Sequence, residues 1–173
     1  MASYEFPKGV KVRHPLDWNY ANAYSGSWTA IGDGTHTYAV GLFNSGNPNN
    51  IIKVYSVSGR DQEAQATVAL YMVAGLNGSV QQQGVPMLSG GPKGSGQITQ
   101  GTFDSWFNFP QGFGWPTSDE GSPIVFAPHP LAVLTPGNSL LIVTQDTTIE
   151  LVAGFCWIEL PFPTDSPVTS NAG

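Results

Sequence analysis

The stretch TIELVAGFCWIEL, residues 148–160, predicts a long strand near the end of the chain. Apolar side chains recur there at every second position, which is the spacing at which residues of a strand share one face. They are Ile149, Leu151, Ala153, Phe155 and Trp157. Glu150 falls on the opposite face, where we expect it to meet solvent or a partner. The alternation therefore indicates a strand with one face in a core.

Further strand signals precede this stretch, and turn-forming residues separate them. Residues 139–144 (SLLIVT) follow Pro136-Gly137, a pair that favours a turn because Pro fixes φ and Gly accepts a positive φ. Other runs of β-forming residues lie at 35–43, 51–57 and 65–73. About eight such runs, at spacings of roughly 8 to 20 residues, are typical of a sandwich or a barrel. We therefore predict an all-β chain that folds as a single antiparallel β-sandwich of about eight strands, with long loops.

The composition excludes several other classes of protein. Among 173 residues there are 21 Gly and 14 Pro, 40% of the residues are hydrophobic, and only 10% are charged. Disordered chains combine low hydrophobicity with high charge, and coiled coils are rich in Glu, Lys, Arg and Leu. No run approaches the roughly 20 apolar residues that span a bilayer. We expect a folded chain with no membrane partner.

The chain is long enough for one domain, and its composition suggests three segments. We expect an extended N-terminal arm and wrap segment at 1–28, the sandwich at 29–162, and a flexible tail at 163–173. Residues 79–97, rich in Gly and Gln, are expected to form one exposed loop with at most a short strand. The first ten residues lack the apolar core of a secretory signal, so export by such a signal is not expected.

The charges are few and unevenly placed. The formal net charge is −6, from 6 basic and 12 acidic residues, so nucleic acid is not an expected partner. Lys8, Lys11 and Arg13 are half of all the basic residues and lie within six positions. This cluster has two interpretations: a solvated arm, or an arm that docks on an acidic partner.

Residues suited to catalysis or metal binding are scattered. The three histidines lie far apart in sequence, whereas a zinc site needs three or four converging ligands. The single cysteine, Cys156, lies in an apolar run and is expected to pack as a small buried side chain. The adjacent acids Asp119 and Glu120 point to opposite sides of an extended chain, unlike the paired carboxylates of a glycosidase. We predict no enzymatic activity, no cofactor and no metal.

An aromatic segment at 101–118 is the most distinctive local feature. It holds Phe103, Trp106, Phe107, Phe109, Phe113 and Trp115. Such a segment has to pack on its own sandwich, on another subunit or on a sugar, and the sequence leaves all three open. The candidate partner-binding residues are the basic cluster and five of these aromatics: Lys8, Lys11, Arg13, Trp106, Phe107, Phe109, Phe113 and Trp115.

The order of these features resembles a known class of proteins. A short basic arm is followed by DWNYANA at 17–23, and later by PGNSL at 136–140 and FCWIE at 155–159. This order resembles the small jelly-roll structural proteins of tailed bacteriophages, the head-decoration or cement class. The resemblance implies a sandwich of jelly-roll type and a homotrimer on the virion surface, assembled in the host cytoplasm. Its expected partner is the major capsid protein or another virion protein.

The first functional hypothesis is therefore a capsid decoration protein, anchored by its N-terminal arm. The alternative is a jelly-roll module of a phage tail or fibre tip that binds host glycans through the aromatic segment. The two hypotheses differ in where that segment points, which is between subunits for the first and into an open groove for the second.

Overall fold

The computed structural model describes most of the central part of the chain. The described residues are 3–5, 11–13, 20–47, 49–61, 68–102, 113–114, 125–126, 129–144, 147–148 and 150–162. Within these ranges the secondary structure consists of fourteen strands and one turn of 3-10 helix.

The elements are numbered in their order along the chain. The strands are β1 (Ser3–Glu5), β2 (Lys11–Arg13), β3 (Ala23–Ile31), β4 (Tyr38–Asn44), β5 (Asn50–Asp61), β6 (Val68–Ala74), β7 (Ser79–Gln83), β8 (Val85–Pro86), β9 (Gly96–Thr102), β10 (Phe113–Gly114), β11 (Val125–Phe126), β12 (Ala132–Leu134), β13 (Asn138–Thr144) and β14 (Glu150–Pro161). The 3-10 turn spans Tyr20–Asn22 and leads directly into β3.

Twelve of these strands form two antiparallel sheets of six strands each. Sheet I has the order β10-β6-β13-β4-β9-β7, and sheet II has the order β11-β5-β14-β3-β8, with β12 also paired to β5. The strands β1 and β2 pair with each other in a separate two-stranded sheet, which we call the N-terminal ribbon. The predicted all-β class and the sandwich are confirmed. The number of strands in the described ranges exceeds the expected eight.

The core lies between the inner faces of the two sheets. Sheet I contributes Val40, Leu42, Leu70, Ile98, Leu140 and Ile142, and sheet II contributes Ala30, Ile52, Val54, Leu151, Ala153, Phe155 and Trp157. The alternating face predicted for β14 is therefore the core face from Leu151 to Trp157. Burying one such Leu or Ile side chain stabilises the fold by about 1.5–3 kcal/mol.

A bulge shapes the pairing of β14 with β5 in sheet II. A bulge between Cys156 and Trp157 inserts one extra residue of β5, so that Phe155 pairs with Val57 and Trp157 with Val54. A bulge increases the local twist and re-aims the side chains that follow it. Trp157 and Glu159 both lie beyond this point, at the end of the sandwich where β4 leads into β5.

The outer face of sheet I is also buried, although it points away from the core. Its buried cluster consists of Ala39, Ala69, Tyr71, Leu141 and Val143. Both faces of β6 are thus covered, as its apolar alternation predicts. This face is not available as an exposed docking surface.

The segment 79–97 differs most from its expected structure. Instead of one exposed loop it contains β7, β8 and the start of β9, and its strands extend both sheets. The sequence does not reveal these strands, because a strand at a sheet edge needs few apolar residues and the Gln side chains here show no apolar alternation. Strand pairing on the N-terminal side of the sandwich begins with β3 at Ala23. The predicted tail, 163–173, lies outside the described residues.

Candidate functional site

The predicted partner-binding residues are only partly described. Lys11 and Arg13 are the two ends of β2, where they pair with Glu5 and Ser3 of β1. Phe113 belongs to β10 and pairs with Leu70 at one edge of sheet I. Lys8, Trp106, Phe107, Phe109 and Trp115 lie outside the described residues. Their partner-binding role stays a prediction.

The most exposed apolar segment lies at the free edge of the sandwich opposite β10 and β11. The strand β7 is the last strand of sheet I and β8 is the last strand of sheet II, so one continuous segment forms both edges. Its large apolar side chains are exposed: Val80, Val85, Met87 and Leu88. We call these four residues the edge surface. The segment 79–92 contains no charged residue.

This edge is poorly suited to pairing with a further strand. The register of β7 against β9 shifts between Val80 and Gln82, which marks a bulge. The strand β8 has only two residues, and one of them is Pro86, which has no backbone N–H. Bulges, short strands and proline are the devices that protect sheet edges from unwanted pairing. The edge surface can therefore contact another molecule through its side chains, while its backbone discourages an added strand.

A buried carboxylate lies beneath this edge, in a site that we call the carboxylate clamp. Glu159, at 3% exposure, accepts five hydrogen bonds. Its Oε2 accepts from the Ser95 backbone N–H at 2.6 Å, the Ser95 hydroxyl at 2.9 Å and the Asn50 amide at 3.1 Å. Its Oε1 accepts from the Gly96 backbone N–H at 2.9 Å and the Trp157 indole N–H at 3.0 Å. These five donors occupy both oxygens of the carboxylate.

The clamp joins three separate parts of the chain. Ser95 directly precedes β9 and Gly96 begins it, Asn50 begins β5, and Glu159 lies near the end of β14. The Ser95 carbonyl also accepts from the backbone N–H and the hydroxyl of Ser45, which follows β4. The clamp thereby fixes the start of β9, the strand on which β7 is built.

Glycines make room for the Trp157 ring under the same edge. A Cβ at Gly84 would lie 2.8 Å from Trp157 Cη2, and a Cβ at Gly96 would lie 2.6 Å from Trp157 Cζ2. Carbon atoms in contact are normally about 3.5–4.0 Å apart, so only glycine fits at these two positions. The Gly84 N–H donates to the Gly96 carbonyl at 3.0 Å, which holds the crossing from β7 to β8 on top of the ring.

Tyr24 completes the packing around Trp157. The two rings are stacked with centroids 6.1 Å apart and an interplanar angle of 20°. The Tyr24 hydroxyl donates to the Pro92 carbonyl at 3.2 Å, which attaches the loop after β8 to β3. Burial, and then the nearby Glu159 charge, raises the pKa of Tyr24 above 10.0. The phenol therefore remains a neutral hydrogen-bond donor.

The clamp is a structural feature of the fold, and its carboxylate is not placed to bind a ligand or to react. Both carboxylate oxygens are occupied and the side chain is shielded from solvent, so a substrate or ion has no access to it. Sequence reasoning gave Glu159 no role. A signal was present, because Glu159 follows Trp157 by two positions and so falls on the core face of β14. An acid in phase with a buried apolar face indicates a buried carboxylate with its own donors.

Asp33 and Cys156 are two further titratable groups whose surroundings the structure describes. Asp33 Oδ2 lies 2.9 Å from His36 Nδ1 in the exposed β3–β4 connection. Burial raises the pKa of the half-buried Cys156 thiol, on the outer face of sheet II. In the part of the chain that the structure describes, no three His, Cys, Asp or Glu residues are grouped so that they could hold a metal ion.

None of the helical structure in the described ranges has the length and hydropathy that a membrane crossing requires. Comparisons of the chain with protein-family models, with curated proteins and with solved structures give no match.

Proposed function

We propose that the sandwich is a jelly roll and that the chain is a structural protein of a phage particle, in the head-decoration or cement class. In this proposal the chain forms a homotrimer on the capsid surface, and its N-terminal arm anchors it to the shell or to a neighbouring subunit.

The proposal rests above all on four nested strand pairs. In a jelly roll of eight strands the first pairs with the eighth, the second with the seventh, the third with the sixth and the fourth with the fifth. The corresponding pairs here are β3 with β14, β4 with β13, β5 with β12, and β6 with β10. The neighbouring pairs β14–β5 and β13–β6 join them into two sheets, as a jelly roll requires. Viral capsid proteins and lectins are recurrent users of this fold.

In this scheme β7, β8 and β9 are an insertion between the fourth and fifth strands. The insertion widens both sheets on the side of β3 and β4 and carries the edge surface. Several large exposed apolar side chains on one short segment favour an interaction site there. The edge surface therefore supports an assembly role, with side-chain contacts between subunits at the inserted edge.

The charge distribution supports the same role. With 10% charged residues, most of the surface depends on Gly, Ser, Thr, Asn and Gln for its polarity. Interfaces between subunits are depleted of charged residues at their centres. Covering a surface with few charges therefore removes few charged groups from water. The basic N-terminal ribbon is the exception and suits an anchor to an acidic surface. The resemblance of the sequence to decoration proteins is the basis for assigning the chain to a phage particle.

Light scattering of the purified protein, together with electron microscopy of particles to which it is added, tests the proposal. The expected result is a trimeric mass and added density on the capsid exterior. A strictly monomeric protein that never sediments with particles would overturn it. The glycan-binding alternative depends on the aromatic segment, most of which lies outside the described residues, and a glycan-array signal is its separate test.

A further inference from the structure

We propose that Asn77 is a modification site, where the side-chain amide is lost through attack by the backbone nitrogen of Gly78. The product is an aspartate or an isoaspartate at position 77, in the turn between β6 and β7. The site is separate from the proposed assembly role, because its chemistry requires neither a partner nor an enzyme.

The reaction consumes water and releases ammonia in equal amounts. The Gly78 nitrogen loses its proton and forms a bond with Asn77 Cγ. The Cγ–Nδ2 bond then breaks, and the amide nitrogen takes up a proton and leaves as ammonia. Water opens the resulting five-membered succinimide at either carbonyl, so that one opening gives aspartate and the other gives isoaspartate, in which the main chain runs through the former side chain. Asparagine is counted among the thermolabile residues of proteins.

Glycines leave the two reacting atoms unobstructed. Gly78 has no Cβ that could hinder the approach of its own nitrogen, and its φ of 74° lies in a region that glycine adopts readily. A Cβ at Gly101 of β9 would lie 2.9 Å from the Gly78 nitrogen and 3.0 Å from Asn77 Cγ. Both reacting atoms therefore face the same point, and no side chain occupies it because residue 101 is a glycine.

The Asn77 carboxamide is held only weakly. Its Nδ2 donates to the Thr102 carbonyl at 3.5 Å, which is long for a hydrogen bond of this type. Its Oδ1 is buried and has no hydrogen-bond partner among the described residues, an arrangement that costs free energy. Rotation of the carboxamide towards the Gly78 nitrogen thus breaks no strong hydrogen bond.

Asn44, which is followed by a serine, shows how the fold suppresses the same reaction elsewhere. Asn44 is fully buried, and its Nδ2 donates to the Asn50 carbonyl at 2.8 Å and to the Leu134 carbonyl at 3.0 Å. The attacking atom would be the Ser45 nitrogen, whose N–H already donates to the Ser95 carbonyl at 2.9 Å. Attack at this site requires several short hydrogen bonds to break first.

Asn138, which is also followed by a serine, is held in a similar way. Its Nδ2 donates to Thr135 Oγ1 at 2.7 Å and to the Thr135 carbonyl at 3.3 Å. Ser139 lies inside β13, between Phe43 of β4 and Val73 of β6, so strand pairing on both sides fixes the backbone at the point of attack. The structure therefore distinguishes Asn77 from both of these asparagines.

The modification places a charge in an uncharged part of the chain. Residues 64–92 contain no charged residue. The buried Oδ1 of Asn77 has no donor, so a carboxylate at this position has to move towards solvent. Isoaspartate also lengthens the main chain by one methylene, directly before the turn enters β7 at Ser79. We expect the start of β7, which carries Val80 of the edge surface, to loosen.

Peptide mass spectrometry of the folded full chain, incubated at mildly alkaline pH, tests the proposal. Conversion at Asn77 is expected to be at least about tenfold faster than at Asn44 or Asn138, where roughly one more hydrogen bond has to break before the attack. In urea these bonds are lost, so conversion at Asn44 and Asn138 is expected to accelerate while conversion at Asn77 changes little. A folded chain in which Asn77 stays intact for as long as it takes to react in urea, or in which either other site reacts first, would overturn the inference.

Two further readouts identify the route and its consequence. Opening of the succinimide produces isoaspartate, so methylation by an isoaspartate-specific methyltransferase is expected at position 77, and aspartate alone would overturn the cyclic step. The converted chain, separated by ion exchange, is expected to exchange the amide hydrogens of Ser79–Gln83 faster than the unmodified chain. Asn47→Asp, which makes the same charge change at an exposed position outside the turn, is the matched control and is expected to leave this exchange unchanged. Equal exchange in the converted and unmodified chains would contradict the loosening of β7.

Discussion

The Glu159 carboxylate accepts a 3.0 Å hydrogen bond from the Trp157 indole N–H, two positions earlier on the same face of β14. Among the residues that the structure describes, the largest fully buried side chain and the one buried acid thus form a single unit. The Trp157 ring packs against the crossing at Gly84, and the Glu159 carboxylate holds the start of β9 through Ser95 and Gly96. This unit positions the inserted strands, and with them the edge surface.

Replacing the buried carboxylate tests the clamp. In Glu159→Gln one acceptor oxygen becomes an amide NH2, which faces N–H donors whichever way the amide is turned. At least the Trp157 and Gly96 donors, or those of Ser95 and Asn50, are then left unpaired inside the protein. We expect the free energy of unfolding to fall by about 3 kcal/mol, measured by urea titration. Glu150→Gln, at a partly exposed position, is the control and is expected to change it by less than about 0.5 kcal/mol. Equal urea midpoints for Glu159→Gln and the wild type would show that the clamp is dispensable.

The contact between Gly84 and Trp157 predicts a coupled pair of substitutions. Gly84→Ala places a methyl group 2.8 Å from Trp157 Cη2, so we expect a loss of about 1–3 kcal/mol in the free energy of unfolding. Trp157→Phe removes the part of the ring that Gly84 contacts, although it also costs packing and the hydrogen bond to Glu159. In the double variant the Ala methyl has space. The loss of unfolding free energy in the double variant is therefore expected to be about 1 kcal/mol smaller than the sum of the two single losses. Strictly additive losses would argue against a direct steric conflict.

The sequence predicted the parts of the fold that show strong alternation. The apolar face of β14 and the two covered faces of β6 follow from period-2 patterns, because a side chain every second residue must share one environment. The nested order of the strands could not be predicted, since pairing between distant strands leaves no local pattern. The strand β11 lies within a run at 123–127 that predicts a short strand, whereas the short strands β8 and β10 are held by their neighbours and their own residues show no strand signal.

The candidate site was predicted less well than the fold. The basic cluster was visible in the sequence because charge is a property of composition, and the structure adds that Lys11 and Arg13 lie on one strand of a ribbon. The edge surface was missed because residues 79–97 look like a loop, and their strands exist only through pairing with β3 and β9. Cys156 was expected to be buried and is half-buried, because it lies on the outer face of sheet II.

The exposed pair of Asp33 and His36 predicts a local pH dependence. Hydrogen bonds from the His36 side chain, and then from the backbone N–H groups of His36 and Thr35, hold the pKa of Asp33 well below 3.8. Because the folded pKa is lower than the unfolded one, this contribution to stability is present above pH 3.8 and is lost as the pH falls towards the folded pKa. Carboxyl NMR titration is expected to show Asp33 still ionised below pH 3.8. In His36→Ala the pKa is expected to rise but to stay below 3.8, because the backbone donors remain. A wild-type carboxyl that titrates at its ordinary value contradicts this geometry.

The edge surface predicts which apolar substitutions disrupt the assembly. Val85→Ser and Leu88→Ser alter the inserted edge, where the exposed fractions of the two side chains are 49% and 48%. Matched controls are Val133→Ser on β12 and Leu76→Ser after β6, with exposed fractions of 43% and 48% at positions outside the edge surface. Each pair removes the same apolar groups from similarly exposed sites, so differences in intrinsic stability are expected to be small. If the edge surface is a subunit contact, each edge variant loses an apolar contact at the interface and weakens the free energy of self-association by about 1–2 kcal/mol. The control variants are expected to leave the mass of the oligomer unchanged. Analytical ultracentrifugation across a range of protein concentrations measures this difference, and equal behaviour of the two pairs would place the subunit contact elsewhere on the molecule.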